Sequence, residues 1–121
     1  MSERGDTTET SQLVDGEVRK IIKKVISGTL KKYDLRYKRL ILFGSRAKGK
    51  SRKDSDWDIL TIVDGDLDSK VKKEIKAIIR MKIAQYRIPI DIILQTTDEV
   101  EHRKNDVGYL VYYALKEGVE L

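Results

Sequence analysis

Three aspartates stand in segments otherwise built for burial: Asp56 and Asp58 at the start of the apolar run Trp57 to Val63, and Asp91 inside the run Ile90 to Leu94. Strand interiors disfavour Asp, so each of these positions requires a reason. Side chains alternate across a strand, which puts Asp56 and Asp58 on one face and sends Trp57 and Ile59 to the other. If the strand carrying Asp91 lies beside them, three negative charges meet at close range and repel unless cations sit between them. The donors are all oxygen, with no Cys in the chain and its one His, His102, lying in the polar stretch DEVEHRKND. Such a set suits Mg²⁺, with Mn²⁺ as an alternative, and not zinc. A carboxylate trio accommodates two such ions, the arrangement that supports in-line displacement at phosphorus.

A second group of residues complements the first. Phe43-Gly44-Ser45 closes the apolar run Leu40 to Phe43, and Arg46, Lys48, Lys50, Arg52 and Lys53 follow at once. Glycine at a strand end lets the backbone approach a ligand, a serine can cap the following turn, and the free N–H groups of that turn together with the basic side chains suit an anion. The spacing is not the GxxxxGK[ST] of a P-loop. A triphosphate bridging this short turn and the aspartates fits the layout.

These residues need elements to hold them. Leu13, Val14, Val18, Ile21, Ile22, Val25, Ile26 and Leu30 recur at helical spacing with Arg19, Lys20, Lys23 and Lys24 opposite, predicting an amphipathic helix that ends near Gly28. Strands are expected at Leu40 to Phe43 and Trp57 to Val63. Val63-Asp64-Gly65-Asp66 is turn chemistry, and Leu67, Val71, Ile75, Ile78, Ile79 and Ile83 return to a helical period. A third strand follows Pro89. Thr96 and Glu99 have capping-box spacing, and Val107 to Leu115 reads as a last helix closed by Gly118. The predicted order is α-β-β-α-β-α-α, an α/β (α+β) unit with a small mixed sheet and helices packed against it. Tyr109, Tyr112 and Tyr113 fall at helical offsets and are assigned to packing or an interface, with base stacking as the alternative.

The 121 residues suit one domain, expected over 12–121, preceded by a tail over 1–11 that has no hydrophobic residue after Met1 and is expected to be flexible. The absence of Cys excludes a disulfide framework, and no apolar run approaches the ~20 residues needed to span a bilayer. The cytoplasm is the expected compartment. A net charge of +5 leaves contact with nucleic acid or an acidic partner open, and homo-oligomerisation is equally unconstrained.

The stretch LFGSRAKGKSRKDSDWDIL followed by PIDIIL resembles the nucleotidyltransferase superfamily that includes DNA polymerase beta. Its pattern is Gly-Ser, ten residues (here Arg46 to Ser55), Asp-x-Asp, and a later strand Asp. The short chain is most similar to the minimal nucleotidyltransferases, which are commonly paired as antitoxins with a small HEPN ribonuclease toxin and transfer AMP from ATP to a tyrosine on it. The resemblance implies that Asp56 and Asp58 hold two Mg²⁺ ions, that Asp91 binds one and helps deprotonate the acceptor, and that Gly44 and Ser45 hold the β- and γ-phosphates. Arg46 is the expected further triphosphate contact, because a planar guanidinium suits bidentate phosphate binding. Two other outcomes keep the same residues in use: transfer to an RNA or small-molecule hydroxyl, or an antitoxin that occludes its partner without catalysis.

Overall fold

A computed structural model describes residues 13–52 and 55–121, so the expected tail at 1–11 and the basic-run member Lys53 lie outside the described residues. The first helix, α1 (Asp15–Lys31), places Val18, Ile22, Ile26 and Leu30 one turn apart on its buried side. Its first turn is acidic, and Glu17 Oε1 accepts the Val14 N–H at 3.2 Å. The helix ends at Lys31, close to Gly28 as expected, with Gly28 itself still inside it. This glycine lies on the exposed side of the last turn, where nothing crowds it, and the buried Thr29 and Leu30 carry the helix past it.

Two strands follow, β1 (Tyr37–Phe43) and β2 (Trp57–Val63), paired antiparallel from Phe43↔Asp58 to Tyr37↔Val63. β1 begins three residues before its apolar run because Tyr37 and Arg39 still pair with Val63 and Ile62 of β2, around an irregularity at Lys38, although they are not buried. The second long helix, α2 (Ser69–Ala84), starts where Asp68 Oδ1 accepts the Val71 N–H at 2.9 Å, and buries Ile75, Ile79 and Ile83. The third strand, β3 (Ile90–Thr96), runs parallel to β2, as expected when a helix joins the two. Two short helices, α3 (Thr97–Arg103) and α4 (Leu110–Glu117), lead to β4 (Val119–Glu120), which pairs antiparallel with β1. The sheet order is β3-β2-β1-β4.

Alternation along the strands divides the interior. Trp57, Ile59 and Val63 join Leu40, Leu42, Ile92 and Leu94 under α1 and α2. Leu60 and Ile62 join Ile41, Phe43, Val100, Val111 and Ala114 on the other side, under α3 and α4. The mixed sheet matches the expectation; the end of the chain departs from it. Residues 107–109 form a turn instead of helix, α4 is displaced toward the C-terminus, and Gly118 leaves it in an extended conformation that feeds β4. A two-residue strand has too few positions to show alternation.

Candidate active site

The sheet assembles the candidate residues at one end of its second face. Phe43 is the register partner of Asp58 across the antiparallel pair, and Asp58 is the partner of Asp91 across the parallel pair, so the three form one row over three strands. The row is held in register partly by Trp57, whose N–H donates to the Pro89 carbonyl at 2.8 Å. Asp58 is half-buried, while Asp91 and Asp56 are exposed on either side of it. Burial pushes the Asp58 carboxyl above its ordinary range, and the neighbouring charges of Asp91 and then Asp56 push it further in the same direction. Asp91 is also felt on α2: burial together with Arg80 and Lys72 lowers the Lys76 ammonium, and the Asp91 carboxylate partly opposes them.

Gly44 follows β1 with φ +77°, and a Cβ there would clash with Asp58 Oδ2. Only glycine combines this backbone with this approach. The chain then closes a tight turn: the Lys48 N–H reaches the carbonyls of Gly44 (3.3 Å) and Ser45 (3.2 Å), and the Lys50 N–H reaches that of Ser45 at 3.0 Å. Ser45 therefore anchors the turn through its carbonyl.

Arg46 occupies a different environment. Its guanidinium lies 4.6 Å from the centre of the Trp57 ring, on the side of β2 away from Asp58, with the side chain only 9% exposed. Nε–H donates to the Ser55 carbonyl at 2.9 Å, Nη2–H to the Arg52 carbonyl at 3.3 Å, and Nη1 stands 4.0 Å from Asp15. This geometry braces the connection between Gly44 and Asp56 from beneath and does not bring Arg46 to the carboxylates.

Lys48 does face them. A cavity of about 390 Å³ is lined by Phe43, Gly44, Lys48, Asp58 and Asp91, and by Leu110, Tyr113 and Glu117 of α4. Lys48 Nζ pairs with Glu117 at 3.1 Å. Within the sequence Lys48 is one of five cations in a run and nothing singles it out; Glu117 and Leu110 carry no motif, and the Tyr113 spacing reads equally as packing. A larger hollow of about 650 Å³, lined by Ser27, Gly28, Lys31, Leu35, Arg36 and Tyr37, contains no carboxylate.

Among the described residues no three His, Cys, Asp or Glu side chains converge into a closed metal cage. The arrangement is more open than the expected trio, with Asp58 and Asp91 adjacent and Asp56 beside them. That openness fits Mg²⁺, which is usually held by one or two carboxylates with substrate phosphates and water completing the shell. The all-oxygen donor set, the repulsion gathered on Asp58 and the glycine cradle against its carboxylate agree with that cation. Among the described residues no helix is long and apolar enough to cross a membrane.

Comparison with known proteins places the chain in a family. A relative from Methanocaldococcus jannaschii, named "Putative protein adenylyltransferase", is 45% identical over 49 residues, 40% of this chain and 49% of that protein. The match thus spans about half the length of the relative. The crystal structure of a "putative nucleotidyltransferase" from Sulfolobus solfataricus superposes with a TM-score of 0.55 at 19% identity, covering 97% of this chain and 87% of that one, and so shares the fold. The family described as nucleotidyltransferase domain matches residues 18–113, a span that contains the Gly44 turn, the Asp58–Asp91 pair and the whole of α2 and α3. The chain belongs to the nucleotidyltransferase domain family.

Proposed function

We propose that residues 12–121 form a Mg²⁺-dependent adenylyltransferase domain that moves AMP from ATP to a protein hydroxyl and releases pyrophosphate. The observation that carries this reading is the row of Asp58 and Asp91 on adjacent strands, packed against the Gly44 turn and opening into the cavity that holds Lys48. Asp56, Asp58 and Asp91 would hold two Mg²⁺ ions, which when bound supply charge neutralisation at the α-phosphate and at the departing pyrophosphate. The Gly44 backbone, the Ser45 hydroxyl and the Lys48 ammonium bind the β- and γ-phosphates, and Arg46 acts by holding the turn. Asp91, exposed at the cavity edge, accepts the proton of the attacking hydroxyl. The new bond joins that oxygen to the α-phosphorus, and the bond from the α-phosphorus to the bridging oxygen breaks in line with it.

A protein acceptor is supported by the name of the M. jannaschii relative. The resemblance to minimal nucleotidyltransferases narrows it to a tyrosine of a HEPN-type toxin in the same cytoplasm, which makes the domain an antitoxin. The test is transfer of α-labelled NTPs with Mg²⁺ into host lysate containing the native neighbours, for wild type and for Asp56→Asn/Asp58→Asn. Label from ATP on one protein band, absent with the variant, is the expected result. Label on RNA instead overturns the protein acceptor, and no label despite Mg²⁺-dependent ATP binding overturns catalysis in favour of occlusion.

A further inference from the structure

Helix α4 divides its apolar residues. Val111 and Ala114 are buried in the core, whereas Leu110 and Tyr113, one turn apart, remain 58% and 46% exposed. With Glu117 one turn further on, these two form a ridge along the cavity that contains Asp58 and Asp91. The Tyr113 ring is steadied by the edge of Tyr112, whose centroid lies 5.0 Å away at an interplanar angle of 87°. The cavity therefore has two unlike walls. One holds the Gly44 turn and Lys48 and suits phosphate oxygens; the other is an aliphatic and aromatic ledge beside charged groups that have no use for it. A ligand matching both is anionic at one end and flat and apolar at the other, and a volume of about 390 Å³ lies in the range of mononucleotide-sized sites.

We propose that Leu110 and Tyr113 are the platform on which the base of the nucleotide stacks, and that this ledge makes the site prefer a nucleotide to bare polyphosphate. The inference rests on the nucleotidyltransferase reading of the same cavity and adds the specificity-determining residues. Base stacking is sequence-tolerant and depends on the ring, not on the phenol hydroxyl. Lys48 lines the phosphate side of the cavity and pairs with Glu117 of α4 at 3.1 Å.

The experiment is calorimetric titration, with Mg²⁺ present, of wild type, Tyr113→Ala, Tyr113→Phe and Leu110→Ala against ATP and against inorganic tripolyphosphate. Wild type is expected to bind ATP at least tenfold more tightly than tripolyphosphate. Tyr113→Ala should weaken ATP about tenfold with tripolyphosphate unchanged, Tyr113→Phe should bind both like wild type, and Leu110→Ala should lose severalfold for ATP alone. Equal wild-type affinities for the two ligands, or an unchanged ATP affinity in both alanine variants, overturn the platform. A loss in Tyr113→Phe equal to that in Tyr113→Ala also overturns it, pointing to a hydrogen bond from the hydroxyl in place of stacking. If Tyr113→Ala loses both ligands through misfolding, Leu110→Ala decides. Wild type that binds neither ligand overturns the nucleotidyltransferase reading itself, a result distinct from all of these.

Discussion

At the scale of single residues, the site depends on a backbone conformation as much as on carboxylates. Gly44 sits at positive φ with no room for a Cβ beside Asp58. A Gly44→Ala variant must either move the turn or push the carboxylate out of the row it forms with Asp91. Nucleotidyl transfer is expected to fall at least 100-fold while the circular dichroism spectrum stays native, because the strain is confined to one strand end. Unchanged turnover would mean that Asp58 does not need its present position. Arg46 illustrates the opposite case: an ideal phosphate ligand by type is drawn under the strand by the face of Trp57 and by the carbonyls of Arg52 and Ser55.

At the scale of elements, the junction of β3 and α3, at the end of the β2–β3 ladder away from Asp58 and Asp91, is closely tied. Thr96 Oγ1 accepts the Glu99 N–H at 3.2 Å, Glu99 Oε1 accepts the Thr96 N–H at 2.8 Å, and Lys72 Nζ reaches both Glu99 oxygens at 3.0 and 2.9 Å. Burial pushes the Glu99 carboxyl up, but the Thr96 N–H and the Lys72 ammonium together overcome this and hold it below its ordinary range. A carboxyl lowered in the folded state contributes stability that is complete above its unfolded pKa and is lost as pH falls through the folded value. Glu99→Ala should therefore cost about 1 kcal/mol at pH 7, and the gap to wild type in urea denaturation should close under acid conditions. A gap that persists at low pH would assign the effect to packing. The capping box itself is readable from Thr96 and Glu99 three residues apart. The placement of α4 is not, because it depends on Gly118: a side chain there would collide with the Ala114 and Leu42 carbonyls and with Ile41, and only its absence lets β4 dock on β1.

At the scale of the whole molecule, the sheet separates stability from chemistry. α1 and α2 cover one face, and the candidate site opens at the end of the other, beneath α4. Ile79 is fully buried on the far side. Ile79→Ala should cost about 3 kcal/mol of unfolding free energy, read from urea curves, while ATP affinity of the folded protein at low temperature stays within about twofold of wild type. A large loss of affinity would show that the two faces are coupled.

Local rules reach far in this chain because its strongest signals are local. Apolar residues four apart in α1 and α2, the uninterrupted apolar run Leu40 to Phe43 in β1, and Asp56 and Asp58 two apart in an alternating segment are all signals that make no reference to distant residues. The carboxylate pair was legible once Asp91 was placed on a strand next to β2, and the helix between β2 and β3 makes that neighbour parallel. Only the tertiary structure decided that Lys48 of the basic run lines the site, that Arg46 packs on Trp57 away from it, and that the far wall of the cavity comes from residues 110–117. Those outcomes depend on which surfaces compete for a side chain once the sheet has formed, and on a two-residue strand that positions a helix. Neither leaves a periodicity or a spacing in the sequence that local physics can read.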